Sequence, residues 1–222
     1  MSVIRRPGYG RRTRRRIVDL RIALSIAAVD AATVGCWFAL VVVEPRTAFG
    51  AVAGLCVLVF GGLLRTGFVG AALDGEGFIA RPARFAAATA YAATWLAWLI
   101  VAEAVGGAIG LLVAGLSLAA LLSAHFALEF LFVHNGAAPA AESVDALAPA
   151  ASFVVPATLL AVGATTLLGI VWFVDWTVFS LVLPVGPWSM AVEVRTVVNG
   201  FFVLACCSFV GNHRFLSGLP EW

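Results

Sequence analysis

The sequence predicts an all-α bundle of about six membrane-spanning helices, and its composition, its apolar stretches and its arginines support this. Hydrophobic residues make up 62% of the chain and charged residues only 12%, and the mean hydropathy is +1.03. These values lie outside the range of soluble globular domains and inside that of polytopic helical bundles. We therefore expect a multi-pass integral membrane protein.

Several apolar stretches are long enough to cross the hydrocarbon core of a bilayer, which takes roughly 20 residues in a helix. The predicted spans are 20–43, 49–72, 84–106, 109–133, 157–183 and 189–211. The apolar run from Ala146 to Val185 is too long for one upright span and too short for two, so we expect Pro156 to mark the start of the fifth. The predicted organisation is a basic segment at 1–19, a transmembrane domain at 20–216 and a short tail at 217–222.

The orientation in the membrane follows from fourteen arginines, since the chain has no lysine. Eight precede or open the first span: Arg5, Arg6, Arg11, Arg12, Arg14, Arg15, Arg16 and Arg21. Positive charge accumulates on cytoplasmic flanks, so both termini of a six-span chain are predicted to be cytoplasmic. Trp37, Trp176 and Trp188 fall near the opposite interface, where indole rings favour a half-wet position.

The composition also indicates where the protein resides and what its basic head contacts. Richness in alanine, valine and arginine is typical of a GC-rich prokaryotic genome, so the expected location is the cell (plasma) membrane. The arginine-rich head is expected to bind membrane lipids with anionic head groups rather than nucleic acid.

Enzymatic, metal and redox chemistry find little support in the sequence. The four cysteines lie within predicted spans and form no C-x-x-C pair, so we interpret them as packing residues. His125 and Glu129 share a helix face, but His134 is roughly half a turn away from His125 around the helix. No hydrolase, phosphate-loop or dinucleotide motif is present. We expect no catalytic turnover, no metal and no cofactor.

Polar residues within apolar spans are candidates for function because each charged group in hydrocarbon costs a few kcal/mol. Arg65 on the second span, His125 and Glu129 on the fourth, and Asn212 and Arg214 ending the sixth approach the cytoplasmic side. A guanidinium suits phosphate and keeps its charge when buried. We therefore predict a pocket in which Arg65 and Arg214 bind an anionic head group. The alternative is that each of these polar side chains only extends to the membrane–water interface and binds nothing.

A second set of intramembrane residues suggests coupling of transport to protons. Asp30 in the first span and Asp175 in the fifth have stems too short to reach the interface. Each is either protonated or paired with an arginine, such as Arg65 or Arg195. With Glu193, these residues are candidate coupling groups of a proton-linked transporter.

The six spans group into three hairpin pseudo-repeats at roughly 18–72, 84–135 and 157–216. The second helix of the last two hairpins ends on His125-Phe126-Ala127-Leu128-Glu129-Phe130-Leu131-Phe132 and on Phe209-Val210-Gly211-Asn212-His213-Arg214-Phe215. These segments resemble the asparagine-arginine-aromatic signature that ends each hairpin of the GtrA-like family of small membrane proteins. The resemblance covers residues 84–216. The usual unit of that family has four spans, and the first hairpin here, with Arg65-Thr66-Gly67-Phe68, lacks the asparagine.

The resemblance implies translocation of polyprenyl-phosphate-linked sugars for cell-surface glycosylation, or an accessory role in it. Substrate contacts would then come from Arg65, His125, Glu129, Asn212 and Arg214. Two alternatives stay open. One is a proton-coupled small-solute transporter that uses Asp30 and Asp175. The other is a non-catalytic scaffold subunit whose basic head and acidic loop, 142–145, contact a membrane or cytoplasmic protein partner.

Overall fold

A computed structural model describes residues 8–43, 47–74, 82–134, 150–174, 176–185 and 188–217. In this part of the chain the helices are α1 (Gly8–Phe38), α2 (Ala48–Asp74), α3 (Pro82–Val105), α4 (Gly107–His134), α5 (Ala150–Phe173) and α6 (Val197–Ser217). A π-helical turn, Ala39–Val43, extends α1. Two antiparallel strands, β1 (Thr177–Val185) and β2 (Trp188–Arg195), lie between α5 and α6.

The helical membrane character predicted from composition is confirmed. Five of the described helices, α1 to α5, are long and apolar enough to cross a membrane. α6 has 21 residues and ends on polar side chains that include Arg214. The protein is therefore a membrane-embedded helical bundle.

The helices form a closed ring in which each packs against the next and α6 returns to α1. Neighbours run antiparallel: Gly62 and Gly70 of α2 lie against Ala88 and Arg84 of α3, respectively. The tightest reversal is Gly106 between α3 and α4, whose φ of 71° suits a residue without a side chain. α1, α3 and α5 begin at one end of the bundle, the N-terminal end, and the strands lie at the other, the hairpin end.

The two strands change the bounds of the predicted fifth and sixth spans. The fifth was expected at 157–183, but α5 runs from Ala150 to Phe173 and contains Pro156 in its second turn. The sixth was expected at 189–211, but 188–195 is a strand and the helix is 197–217. An apolar run reads as a span by hydropathy even when its residues alternate with the period of a strand.

Aromatic side chains fill the interior in two layers. Towards the hairpin end, Trp37, Trp95 and Trp98 are fully buried with ring centroids 5.7 to 6.4 Å apart. Trp37 was expected at the wet interface, so that prediction is wrong. Towards the N-terminal end, Phe215 stacks on Phe126 at 5.3 Å and contacts Phe153.

Several predicted features lie outside the described residues. They include Asp175, the acidic loop 142–145, the first seven residues of the basic head and the tail from 218 onwards. The rest of the predicted head, 8–19, is the start of α1.

Candidate functional site

Asp30 of α1 lies at the centre of the bundle and accepts four hydrogen bonds from three other helices. Arg65 Nη1 of α2 donates across 2.6 Å and Tyr91 Oη of α3 across 2.9 Å. From α6, Ser208 Oγ donates at 2.8 Å and Asn212 Nδ2 at 3.1 Å. The Asp30 side chain is 1% exposed, so the carboxylate is removed from lipid and is compensated by the arginine and three neutral donors.

The fourth helix adds a second carboxylate at longer range. Glu129 Oε1 lies 3.5 Å from Arg65 Nε and 3.5 Å from Nε2 of His125, which is one turn earlier on α4. The side chains of His125 and Glu129 are each 2% exposed. Arg65 therefore lies between two carboxylates from different helices.

We call Asp30, Arg65, Tyr91, His125, Glu129, Ser208 and Asn212 the buried polar cluster. Aromatic rings enclose its guanidinium: Arg65 Cζ lies 4.9 Å from the Phe126 centroid and 5.6 Å from that of Tyr91. Such contacts stabilise a desolvated cation. The cluster lies between the two aromatic layers, in the half of the bundle nearer its N-terminal end.

The hydrogen bonds of the cluster differ sharply between its two carboxylates. All four partners of Asp30 are donors, which matches an ionised carboxylate because that group only accepts. Both oxygens of Glu129 and both ring nitrogens of His125 are buried without a hydrogen-bond partner among the described residues. Buried polar groups are normally paired. Arg65 Nε and Nη2 and Asn212 Oδ1 are also buried without a hydrogen bond among these residues, so Glu129 and His125 contribute four of the seven unpaired atoms of the cluster.

The charges of the cluster are also unequal. With neutral His125, two carboxylates face one guanidinium, leaving one excess negative charge. A proton on either His125 or Glu129 cancels that charge. In a low-dielectric interior the electrostatic difference between these charge states is large.

The structure brings together four of the five residues predicted for the substrate pocket: Arg65, His125, Glu129 and Asn212. Arg214 is exposed on α6, because residues two apart on a helix point to nearly opposite faces. Arg65 is 0% exposed and is held by Asp30 and Glu129. The expected pocket, in which both arginines face a head group, is therefore not formed.

The residues predicted as coupling groups of a transporter do not lie together in the structure. Asp30 joins the cluster and has Arg65 as its arginine partner, one of the two solutions expected for it. Glu193 and Arg195 lie on β2, opposite Ser180 and Thr177 of β1, rather than in a membrane-spanning helix. Asp175 lies outside the described residues.

Two members of the cluster, Tyr91 and Ser208, were not predicted as site residues from the sequence. Ser208 precedes Asn212 by one helical turn, so the spacing could have placed both on one face. Tyr91 has no such signal, since tyrosine in an apolar span is common at interfaces.

A groove of about 500 Å³ lies between α4 and α5, outside the cluster. Its lining is apolar apart from Thr158, Thr165 and Thr166. The hydroxyl of Thr165 is buried and makes no hydrogen bond within the described chain. Among the same residues, no group of three or more His, Cys, Asp or Glu could hold a metal ion.

Comparison of the chain with models of known protein families, with curated proteins and with solved structures gave no match. The GtrA-like resemblance therefore stays a prediction based on short motifs.

Proposed function

We propose that the protein is a proton-coupled membrane transporter of a small solute, in which Glu129 and His125 bind the coupling proton. The observation that carries this proposal is the contrast within the cluster. Asp30 and Arg65 form a close ion pair at 2.6 Å, whereas Glu129 and His125 are buried without hydrogen bonds in the described part of the chain. Ionisable groups inside the membrane domain are typical of proton relays.

A purely structural network is the alternative explanation for buried charges. Such networks are stable when every donor and acceptor is paired, and a partly paired network is costly. The Asp30 side of the cluster fits a structural role because it has four donors. The Glu129 side fits it less well, because Glu129 contacts Arg65 Nε and His125 Nε2 only at 3.5 Å and the four polar atoms of Glu129 and His125 make no hydrogen bond in the described chain. This asymmetry favours a group that changes its protonation state.

The proposed coupling step acts on the contact between α2 and α4. The attraction between Arg65 Nε and Glu129 Oε1, 3.5 Å apart, depends on the charge of Glu129. Protonation of Glu129 removes that attraction, while Asp30 continues to hold Arg65 to α1. A proton therefore weakens the contact between α2 and α4 while α4 stays packed against α3 and α5, and this contact is the proposed two-state element for alternating access.

The proposal also covers the orientation of the protein in the membrane and a sixth membrane-spanning helix, α6. The N-terminal end of the bundle, where the arginines of the head begin, faces the cytoplasm of a cell bounded by a plasma membrane. The 21 residues of α6 extend about 31 Å at ~1.5 Å per residue, so α6 also crosses the bilayer. The buried polar cluster then lies in the cytoplasmic half.

Transport measured in proteoliposomes loaded with a pH-sensitive dye tests the proposal. A panel of amino acids, sugars and organic acids is added outside, and the internal pH is followed. We expect at least one solute to drive a pH change that Glu129→Gln abolishes and Arg214→Ala, at an exposed position, preserves. Solute uptake with a flat pH response, or equal coupling in Glu129→Gln, would contradict it.

A second candidate is translocation of a polyprenyl-phosphate-linked sugar, which the GtrA-like resemblance implies. The apolar groove between α4 and α5 favours it, since an isoprenoid chain needs an apolar surface open to lipid and the threonines could contact its polar end. Native mass spectrometry of protein purified from its own host distinguishes the candidates. A retained polyprenyl-phosphate sugar supports the second, whereas only bulk phospholipid argues against it.

A further inference from the structure

The two strands between α5 and α6 form an amphipathic hairpin. Their register pairs Phe179 with Val194, Leu181 with Val192, Leu183 with Met190 and Val185 with Trp188. Since alternate positions of a strand share a face, these eight apolar residues occupy one face of the ladder, which we call the apolar hairpin face. The other face combines Ser180, Val182, Pro184, Ser189, Ala191 and Glu193.

The apolar hairpin face is not covered by the helices where its side chains are described. Leu181 is 42% exposed and Leu183 is 39% exposed. An isolated two-stranded hairpin is marginally stable in water, and a buried apolar face is what usually stabilises one. This face therefore needs an apolar surface outside the described chain.

Hydrogen bonds at the base hold the hairpin to the ends of α5 and α6. The Thr196 hydroxyl donates to the carbonyl of Val174 at 2.8 Å and accepts from the Trp176 amide at 3.2 Å. The Thr196 amide also donates to the Trp176 carbonyl at 3.0 Å. Thr196 is buried at 6% exposure. The base of the hairpin is thus a fixed continuation of two helices rather than a free loop.

Helix length places this base at the membrane surface. The 24 residues of α5 extend about 36 Å at ~1.5 Å per residue, which exceeds the ~30 Å hydrocarbon core. Phe173 and Trp176, at the end of α5 and beyond it, are 58% and 65% exposed. Exposed aromatic residues at the end of a spanning helix favour the region of the lipid head groups.

The lipid-facing surface of the bundle continues from these residues onto the strands. Exposed apolar side chains follow along the chain at Phe173, Val174 and Trp176 and continue at Leu181 and Leu183 of the apolar hairpin face. We propose that the hairpin lies along the membrane surface at the hairpin end, with the apolar hairpin face in contact with lipid and Ser180 and Glu193 on the side of the head groups and water. Its partner is the bilayer itself. This inference is independent of proton coupling.

The proposal is tested by the accessibility of spin labels in proteoliposomes. The four native cysteines are replaced by alanine, and a nitroxide is attached after Leu181→Cys, Leu183→Cys or Ser180→Cys. Ser180 is the matched control because it is exposed, adjacent to Leu181 and on the other face. Power saturation with oxygen, which partitions into lipid, and with a water-soluble nickel chelate reports the surroundings of each label.

We expect the ratio of oxygen to nickel accessibility to be severalfold higher at 181 and 183 than at 180. Equal, water-like ratios at all three positions overturn the proposal, since the hairpin then projects into water. Low access of both reagents at 181 and 183 also overturns it, because a second copy or another protein then covers the face. All three positions are exposed, so labels there leave the interior intact, and unchanged melting of each variant verifies this.

Discussion

Arg65 Nη1 lies 2.6 Å from Asp30 Oδ2, and the two side chains are 0% and 1% exposed. This ion pair joins α1 to α2, and further donors from α3 and α6 converge on the same carboxylate. Glu129 extends the contact to α4. One arginine and one aspartate therefore organise the centre of a bundle whose surroundings are apolar.

Replacement of Arg65 with alanine is expected to be among the most damaging single changes in the chain. It leaves Asp30 without its cation and Glu129 without its nearest positive charge, and breaking a buried pair costs about 3–5 kcal/mol. Thermal melting in detergent should show a large loss of stability. Arg214→Ala, which removes an exposed arginine, is the control, and an equal effect of the two changes would refute the role assigned to Arg65.

The two carboxylates should respond differently to removal of their charge. Asp30→Asn presents N–H groups to a site that offers four donors, so we expect a loss of about 3 kcal/mol or more. Glu129→Gln breaks only the longer ion pair with Arg65, at 3.5 Å, and leaves Arg65 paired with Asp30, so a smaller loss of about 1 kcal/mol is expected. SDS-induced unfolding of both variants measures the difference. Similar losses would mean that Glu129 is as firmly held as Asp30.

Tyr91→Phe isolates one hydrogen bond to the cluster. The phenol donates to Asp30 Oδ1 at 2.9 Å, and a hydrogen bond to a charged group contributes about 1.5–3 kcal/mol. Removal of the hydroxyl should lower the free energy of unfolding by that amount. Thr94→Val is a matched control on α3, because its hydroxyl bonds only its own helix at Ala90. A loss in the control as large as in Tyr91→Phe would contradict the assignment.

Gly211→Ala tests the close approach of α6 to α5 beside the cluster. A methyl group there would lie 2.9 Å from the carbonyl oxygen of Pro156, which is backbone and cannot rotate away. We expect a cost of about 1–3 kcal/mol and a displaced Asn212. Gly169→Ala is the control: its nearest neighbour is the flexible end of Leu111 at 3.1 Å, and alanine gains up to ~1 kcal/mol of helix propensity there. A stabilising Gly211→Ala would argue against this helix contact.

Thr196→Val is predicted to release the base of the hairpin. The change keeps the shape but removes the two hydrogen bonds that the hydroxyl makes with Val174 and Trp176, each of which contributes about 1 kcal/mol. Hydrogen exchange of the Trp176 amide should become faster, whereas that of α1 to α4 should not change. Thr158→Val, at an exposed threonine that bonds within α5, should leave the hairpin unaffected. Unaltered exchange at Trp176 would show that the hydrogen bonds of the Thr196 hydroxyl do not hold the base of the hairpin.

Hydropathy predicted the first four helices because each apolar stretch ends at polar residues, Gly or Pro. It failed between 177 and 195, where strand residues such as Val182 and Val192 are as apolar as those of a span. The alternation of Trp188, Met190, Val192 and Val194 with smaller or polar residues was the available signal for a strand. Composition alone does not distinguish a strand from a helix.

Part of the cluster was likewise predictable. Asp30, Arg65, His125, Glu129 and Asn212 stand out in the sequence because the bilayer makes polar groups rare and costly. Their partners do not, since Tyr91 and Ser208 are ordinary residues in an apolar segment. The exclusion of Arg214 depends on which face of α6 turns inward, and the consecutive polar residues Asn212, His213 and Arg214 point in different directions around the helix, so the sequence does not say which of them lies inside.

The sequence by itself determined that this protein lies in a membrane, roughly where its first helices run and which polar residues cannot be left in lipid. It did so because the thickness and low polarity of the bilayer act on each segment separately. Only the tertiary structure decided that Asp30 pairs with Arg65, that Glu129 and His125 lie beside this pair without hydrogen bonds among the described residues, and that Arg214 faces outward. Those facts depend on the rotation and close approach of helices that are distant in sequence, which contacts such as Gly211 against Pro156 set.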